Sequence, residues 1–282
     1  MSLKYKLSNY RTHLRKLGCP EVTVNSLKNK PAGRCSSAFG VKKAKRAEEN
    51  FCPPYPTEET QESLEAMRNA LLLETKKRNN RDLVKRQMKK TFAYRRHEVV
   101  RDAPMVEAFM SRWPGLFDIR EINAEFKRTT TIPLHSKFFS QLDLHCDNLR
   151  KLFKRRGGQL GQKLRQIVAQ MDDCEDVDVA RGVDEAYIEE GIGATTIGVF
   201  HLKDCSSADE DIGVVLEGIR VLSNLDSVPT AVAMLFGLIY AMKLAYPADL
   251  RYTFEVLQKI VMELDGGKLS NKALSLKNHL YE

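Results

Sequence analysis

No apolar run in this chain is long enough to cross a bilayer. The most apolar stretch, AVAMLFGLIYAM at 231–242, has twelve residues, whereas a membrane helix needs about 20. No apolar signal segment follows Met1-Ser2-Leu3-Lys4, so no export is expected. There is no C-x-x-C pair either. Cys19, Cys35, Cys52, Cys146, Cys174 and Cys205 are scattered, which favours free thiols in a reducing compartment and a nuclear or cytoplasmic protein.

The motifs of common chemistries are missing too. Gly191-Ile-Gly193-Ala-Thr-Thr is glycine-rich but lacks the Gly-Lys-Ser/Thr end of a phosphate loop, and it reads as a turn before a strand. His145 and Cys146 are adjacent, so on a helix they point about 100° apart and cannot form a nucleophile–base pair by themselves. His135 lies ten residues earlier, and Cys146 is expected on or near the core face. Cys19, Cys35 and Cys52 lack the close ligand pairs of structural zinc. The acidic run Asp172, Asp173, Glu175, Asp176 and Asp178 has no glycine and no terminal glutamate of a calcium loop. No catalytic residue, metal or cofactor is expected, and the chain reads as a non-enzyme.

Charge, by contrast, is unevenly placed. Residues 1–100 hold 23 Lys+Arg against 10 Asp+Glu, a net of +13; residues 101–282 hold 22 against 27, a net of −5; the sum is the overall +8. One end is suited to meet anions. Between Lys76 and Arg101 there are eleven Lys+Arg, opposed by Asp82 and Glu98 and interleaved with Phe92, Tyr94 and His97. Lys77, Arg81, Lys85 and Lys89 follow i,i+4 steps, and like charges at that spacing cost a few tenths of a kcal/mol per pair. A helix face that repels itself is easiest to explain by an anionic partner. The candidate anion- or nucleic-acid-binding residues are therefore Lys77, Arg81, Lys85, Arg86, Lys89, Lys90, Arg95 and Arg96. The competing reading is a solvated face that keeps the helix soluble or meets an acidic surface. Lys42, Lys43, Lys45 and Arg46 form a candidate nuclear-import signal.

Periodicity points to a mainly α protein: a basic N-terminal arm and long helix, followed by a C-terminal multi-helix domain with at most one short strand or hairpin. Residues 1–17 read as a basic amphipathic helix orphaned from a domain, and 18–56 as a flexible basic linker. Residues 57–103 contain no glycine and only proline-free sequence, so they read as one long helix or a hairpin broken near Asn79-Asn80. Thr57 is the expected cap, and the thin stripe Leu64, Met67, Leu71, Val84, Met88, Phe92 is close to a coiled-coil seam. Residues 104–282 form the helical domain. Asp118 with Glu121 caps a helix there, and a strong amphipathic helix runs from Ser136 to Gly157-Gly158. Leu160 to Met171 makes another. Thr195 to Leu202 is the strand candidate. Asp209 to Leu225 is expected to be helical, with Ile212, Val215, Leu216, Ile219, Leu222 and Leu225 on one face. Residues 231–242 form the central helix of a soluble bundle, because a helix apolar all round must be enclosed.

Several longer stretches carry a resemblance. Leu7-Ser-Asn-Tyr-Arg, Leu17-Gly-Cys-Pro-Glu-Val, Lys76-Lys-Arg-Asn-Asn, Arg101-Asp-Ala-Pro-Met, Arg112-Trp-Pro-Gly-Leu-Phe, Glu121-Ile-Asn-Ala-Glu-Phe, Ser136-Lys-Phe-Phe and Tyr252-Thr-Phe-Glu-Val-Leu-Gln-Lys resemble fish proteins labelled sterile alpha motif domain-containing protein 3-like. The sterile alpha motif itself is not recognisable in this chain. The resemblance implies no catalytic residues. It fits an intracellular, adaptor-like interaction protein with protein partners. The alternative is a nuclear nucleic-acid-binding protein using 76–101.

Overall fold

The computed structural model describes residues 51–77, 79–173, 185–203, 210–265 and 269–281. The orphan helix at 1–17, most of the linker, the import cluster at 42–46 and the acidic run beyond Asp173 lie outside the described residues. Helix formation starts at Thr60 rather than Thr57. Its Oγ1 accepts from the Ser63 backbone N–H at 3.2 Å, and the Ser63 Oγ accepts from the Thr60 N–H at 2.9 Å. This reciprocal cap opens α1 (Gln61–Glu74).

The expected long helix is three helices. The first break is where the sequence placed it: Asn79 has φ 63°, and the Asn80 side chain donates to the Glu74 carbonyl at 2.6 Å. α2 (Arg81–Lys90) and α3 (Phe92–Asp102) are then separated by a second break at Thr91, with ψ near 3°. Its hydroxyl donates back to the Gln87 carbonyl at 2.8 Å, a local bond that competes with helix continuation. The apolar stripe of these helices is not an isolated seam. Leu64, Leu71, Met88, Tyr94 and Val99 share one buried cluster with Trp113, Phe126, Leu216 and Phe236.

α4 (Val106–Arg112) and a 3-10 turn (Pro114–Phe117) lead to α5 (Ile119–Thr130), whose Asp118 cap accepts from the Arg120 N–H at 2.8 Å. α6 (Leu134–Arg155), α7 (Gly158–Asp173) and α8 (Glu185–Gly193) follow. His145 on α6 is buried while Cys146 is exposed. The two therefore face apart, and Cys146 is not on the core face that the sequence reading gave it.

The expected helix at 209–225 is two strands. β1 (Ile197–Lys203), β2 (Glu210–Leu216) and β3 (Ile219–Leu222) form an antiparallel sheet in that order, with Ile197 opposite Leu216 and Leu216 opposite Ile219. The reason is local. Ile212, Val214, Val215, Ile219 and Val221 are β-branched, which favours strand. Glu217 (φ 51°) and Gly218 (φ 77°) then make the two-residue turn with positive φ at both positions that hairpins prefer.

α9 (Val228–Ala241) is the central helix expected from its composition. Ser227 caps it, Pro229 lies in its first turn, and it is buried on nearly every side. It packs against α5, α6 and the strands β1 and β2. Gly237 permits the approach to α5 and α6: a Cβ there would come within 2.6 Å of both Ile122 Cγ2 and Leu134 Cδ2. Burying each of Leu235, Phe236, Leu238 and Ile239 contributes about 1.5–3 kcal/mol. α10 (Arg251–Val256) continues into a π turn (Leu257–Val261), and α11 (Asn271–Tyr281) is the last element.

Candidate anion-binding face

The basic segment divides by direction. α2 turns Val84 and Leu83 partly inward and buries Met88 completely. At 3.6 residues per turn this leaves Arg81, Lys85, Arg86, Lys89 and Lys90 spread over about half the helix circumference, and all five are exposed. Asp82 is the exposed acid among them. Among the described residues, no side-chain hydrogen bond or ion pair holds any of the five cations. Lys77, also exposed, pairs with Glu74 at 2.7 Å, and that contact holds the Glu74 carboxyl below its usual range. Arg101 pairs with its neighbour Asp102 at 2.7 Å.

Arg95 and Arg96, placed among the anion-binding candidates by sequence, turn into the interior instead. Arg95 is 1% exposed. Its Nε and Nη2 donate to the two oxygens of Glu125, both at 2.8 Å, while Nη1 reaches Thr91 Oγ1 at 2.9 Å and Nη2 the Met88 carbonyl at 2.9 Å. The guanidinium also lies 4.9 Å from the centre of the Trp113 ring. Arg96 donates to the Tyr240 and Ala241 carbonyls at 3.3 and 3.2 Å and to the Phe51 carbonyl at 3.2 Å. It is thereby a cation at the C-terminal end of α9, where the helix dipole favours one. The correction has a simple cause. The spacing Val84, Met88, Phe92 continues to Arg95 and Val99, so Arg95 sits on the core face of its helix.

Around these residues lies a second network that sequence reasoning missed. Glu65 accepts from Arg68 at 2.8 Å, from Arg112 at 2.6 Å and from the Tyr94 hydroxyl at 2.8 Å. The Arg68 contact, with Arg112 and Tyr94, holds its carboxyl down to about 2 against the effect of burial. Glu98 accepts from Trp113 Nε1 at 2.7 Å and from Arg112 Nε at 2.8 Å. Glu125 is fully buried; burial would raise its carboxyl, but Arg95 and then Arg128 outweigh that and lower it. Glu121 goes the other way, raised by burial in spite of Arg128. The available signal was the lone tryptophan itself, since a buried indole N–H needs an acceptor, which here is Glu98.

Tyr94 is buried, and Phe92 is half-buried with its ring 6.5 Å from that of Phe51. His97 Nε2 donates to the Pro53 carbonyl at 3.0 Å. The aromatic residues interleaved with the basic ones therefore belong to the body of the fold. Among the described residues, no group of three or more His, Cys, Asp or Glu is arranged to hold a metal. No helix there is long and apolar enough to cross a membrane.

Nothing among curated proteins or solved structures matches this chain. Residues 64–118 match the family model described as sterile alpha motif domain-containing protein 3, helical domain. The match runs from Leu64 on α1 through α2, α3 and α4 to Asp118, and so takes in both the exposed cationic face and the Glu65–Arg112–Glu98 network. Over this segment the chain is similar to that helical domain, and its resemblance to the sterile alpha motif domain-containing protein 3-like group is shown there.

Proposed function

We propose that this chain is a non-enzymatic, adaptor-like interaction protein that docks an anionic partner surface on the cationic face of α2. The observation that carries this is the contrast between neighbouring basic residues. Arg95 and Arg96 are taken up by interior acceptors, while Arg81, Lys85, Arg86, Lys89 and Lys90 stand in solvent without a carboxylate among the described residues. A ten-residue helix that keeps five such charges together gives up a few tenths of a kcal/mol for each like-charged i,i+4 pair. The similarity of 64–118 to the helical domain of sterile alpha motif domain-containing protein 3 is compatible with the same reading. A nuclear or cytoplasmic setting belongs to it. The test is titration of the full chain with heparin and with polyglutamate at low salt, beside a variant carrying R81Q, K85Q, R86Q, K89Q and K90Q. Binding by the parent and its loss in the variant, with an unchanged circular dichroism spectrum, is expected. A variant that binds both polymers as the parent does would remove α2 as the docking face.

A further inference from the structure

We infer that the anionic partner of α2 is a double-stranded nucleic acid, held through its phosphate backbone. This rests on the docking role just proposed and adds the class of partner. Three observations select it. First, the solvent half of α2 is purely polar: Arg81, Asp82, Lys85, Arg86, Lys89 and Lys90 are exposed, Met88 is buried, and Leu83, Val84 and Gln87 are partly covered. Protein interfaces draw most of their energy from a few desolvated anchors, commonly aromatic or long apolar side chains. A membrane-surface helix likewise needs an apolar face to insert. α2 offers neither to an outside partner, because its apolar face is already used by the core. A phosphate backbone asks only for cations and hydrogen-bond donors.

Second, the aromatic side chains interleaved with the basic segment are turned away. Single-stranded nucleic acid is held largely by bases stacking on exposed rings. Tyr94 is buried, Phe92 packs near Phe51, and His97 is tied to the Pro53 carbonyl. The face is therefore suited to a stacked duplex, whose bases present no free faces.

Third, the cations form two rows along the helix. α2 spans about 15 Å at 1.5 Å per residue. Arg81, Lys85 and Lys89 follow one i,i+4 row and Arg86 and Lys90 another, with successive Cβ atoms about 5–6 Å apart. Lys and Arg side chains at that spacing can each meet a different phosphate of a backbone that carries one charge per about 3.4 Å of axis on each strand. Contacts of this kind carry no base information, so affinity for unrelated duplex sequences is expected to be similar.

The experiment is fluorescence anisotropy of the full chain with a labelled random-sequence DNA duplex, the corresponding single strand, and labelled polyglutamate, each titrated in salt. Duplex binding is expected to exceed binding of the other two. With up to five phosphates neutralised, duplex affinity should fall about 500-fold between roughly 50 and 200 mM salt. The five-glutamine variant of α2 should lose duplex binding, while a charge-matched control, R120Q/K127Q/K151Q/R155Q/K163Q, whose five residues are likewise exposed, should keep it. Equal loss in the control, or full duplex binding by the α2 variant, overturns the inference. Polyglutamate bound more tightly than duplex, and released in the α2 variant, overturns it in favour of an acidic protein while the docking role of α2 stands. No binding to any of the three polyanions overturns both.

Discussion

At Arg95, the ion pair with Glu125 is a constraint as much as a source of stability. Both side chains are almost wholly buried, at 1% and 2% exposure. Removing one partner leaves the other charge in the interior, which costs about 3–5 kcal/mol, whereas replacing both with apolar residues is often neutral. Glu125→Ala should lower the unfolding free energy by about that amount in urea denaturation, and the R95L/E125L double variant should recover most of it. A double variant as unstable as E125A would mean that the hydrogen bonds of Arg95 to Thr91 and Met88 matter more than the pair. Acid should find Glu65. Its carboxyl lies near 2 in the fold against 4.5 normally, so the folded state holds this proton less tightly than the unfolded chain does. The stability it contributes is present above about pH 4.5 and is lost as pH falls toward 2. Glu121, raised by burial, opposes this trend. In the Glu65→Gln variant, the urea midpoint should vary less between about pH 5 and pH 3 than in the parent; an unaltered pH dependence would show that Glu65 is not the titrating group. None of these partners could be paired from sequence alone, because Glu65 and Arg112 are 47 positions apart and only the fold, with α1 against the 3-10 turn that follows α4, brings them together. What was legible is the direction of Arg95, which the spacing from Met88 contains.

Elements differ in how openly the sequence declares them. α9 was legible because twelve residues without a charge can only be enclosed. α6 was legible from its regular three- and four-residue spacing, and the α1–α2 break from Asn79-Asn80. The β2–β3 hairpin was not. Its apolar residues run almost continuously, so Ile212, Val215, Leu216, Ile219 and Leu222 satisfy a helical period as well as a strand one. The deciding signal is Glu217-Gly218, where both residues take positive φ. The turn is fastened three times: the Glu217 N–H donates to the Thr196 carbonyl at 2.7 Å, the Gly218 N–H to the Thr195 carbonyl at 2.9 Å, and a Glu217 carboxylate oxygen accepts from the Val106 N–H at 2.8 Å. A side chain at 218 would be strained at φ 77° and would bring a Cβ within 2.7 Å of the Gly193 carbonyl oxygen. Gly218→Ala should therefore destabilise the protein by about 1–3 kcal/mol in a thermal or urea melt. A melt unchanged within error would mean that the turn can relax without cost. α2 should behave in the opposite sense. Neutralising its exposed cations relieves like-charge repulsion, so the five-glutamine variant should melt no lower than the parent at low salt. A large loss of stability in that variant would show that the cations hold the fold rather than face a partner.

The whole molecule joins what the sequence sets apart. Residues 57–103 read as a separate basic helix or hairpin, and residues 64–118 match a family model as a unit. Yet the buried cluster runs from Leu64 through Trp113 to Met234 and Leu264 without interruption. The two arginines that face inward from α3 show why. Arg95 finds its carboxylate on α5, at Glu125, and Arg96 finds its acceptors at the end of α9, at Tyr240 and Ala241. Glu125, Tyr240 and Ala241 all lie beyond Asp118. A peptide cut to 57–118 would leave Arg95 without its carboxylate and Arg96 without the carbonyls of Phe51, Tyr240 and Ala241, and would remove the members of the buried cluster from Ile122 onward. Such a peptide must either expose these groups to water or meet the cost of several kcal/mol for each unpaired buried charge. It should therefore lack a cooperative thermal transition, while residues 51–282 should unfold in one step by circular dichroism. Cooperative melting of the 57–118 peptide would show instead that the cationic face rides on an independent module and that Arg95 and Arg96 serve only to attach it to the rest of the chain.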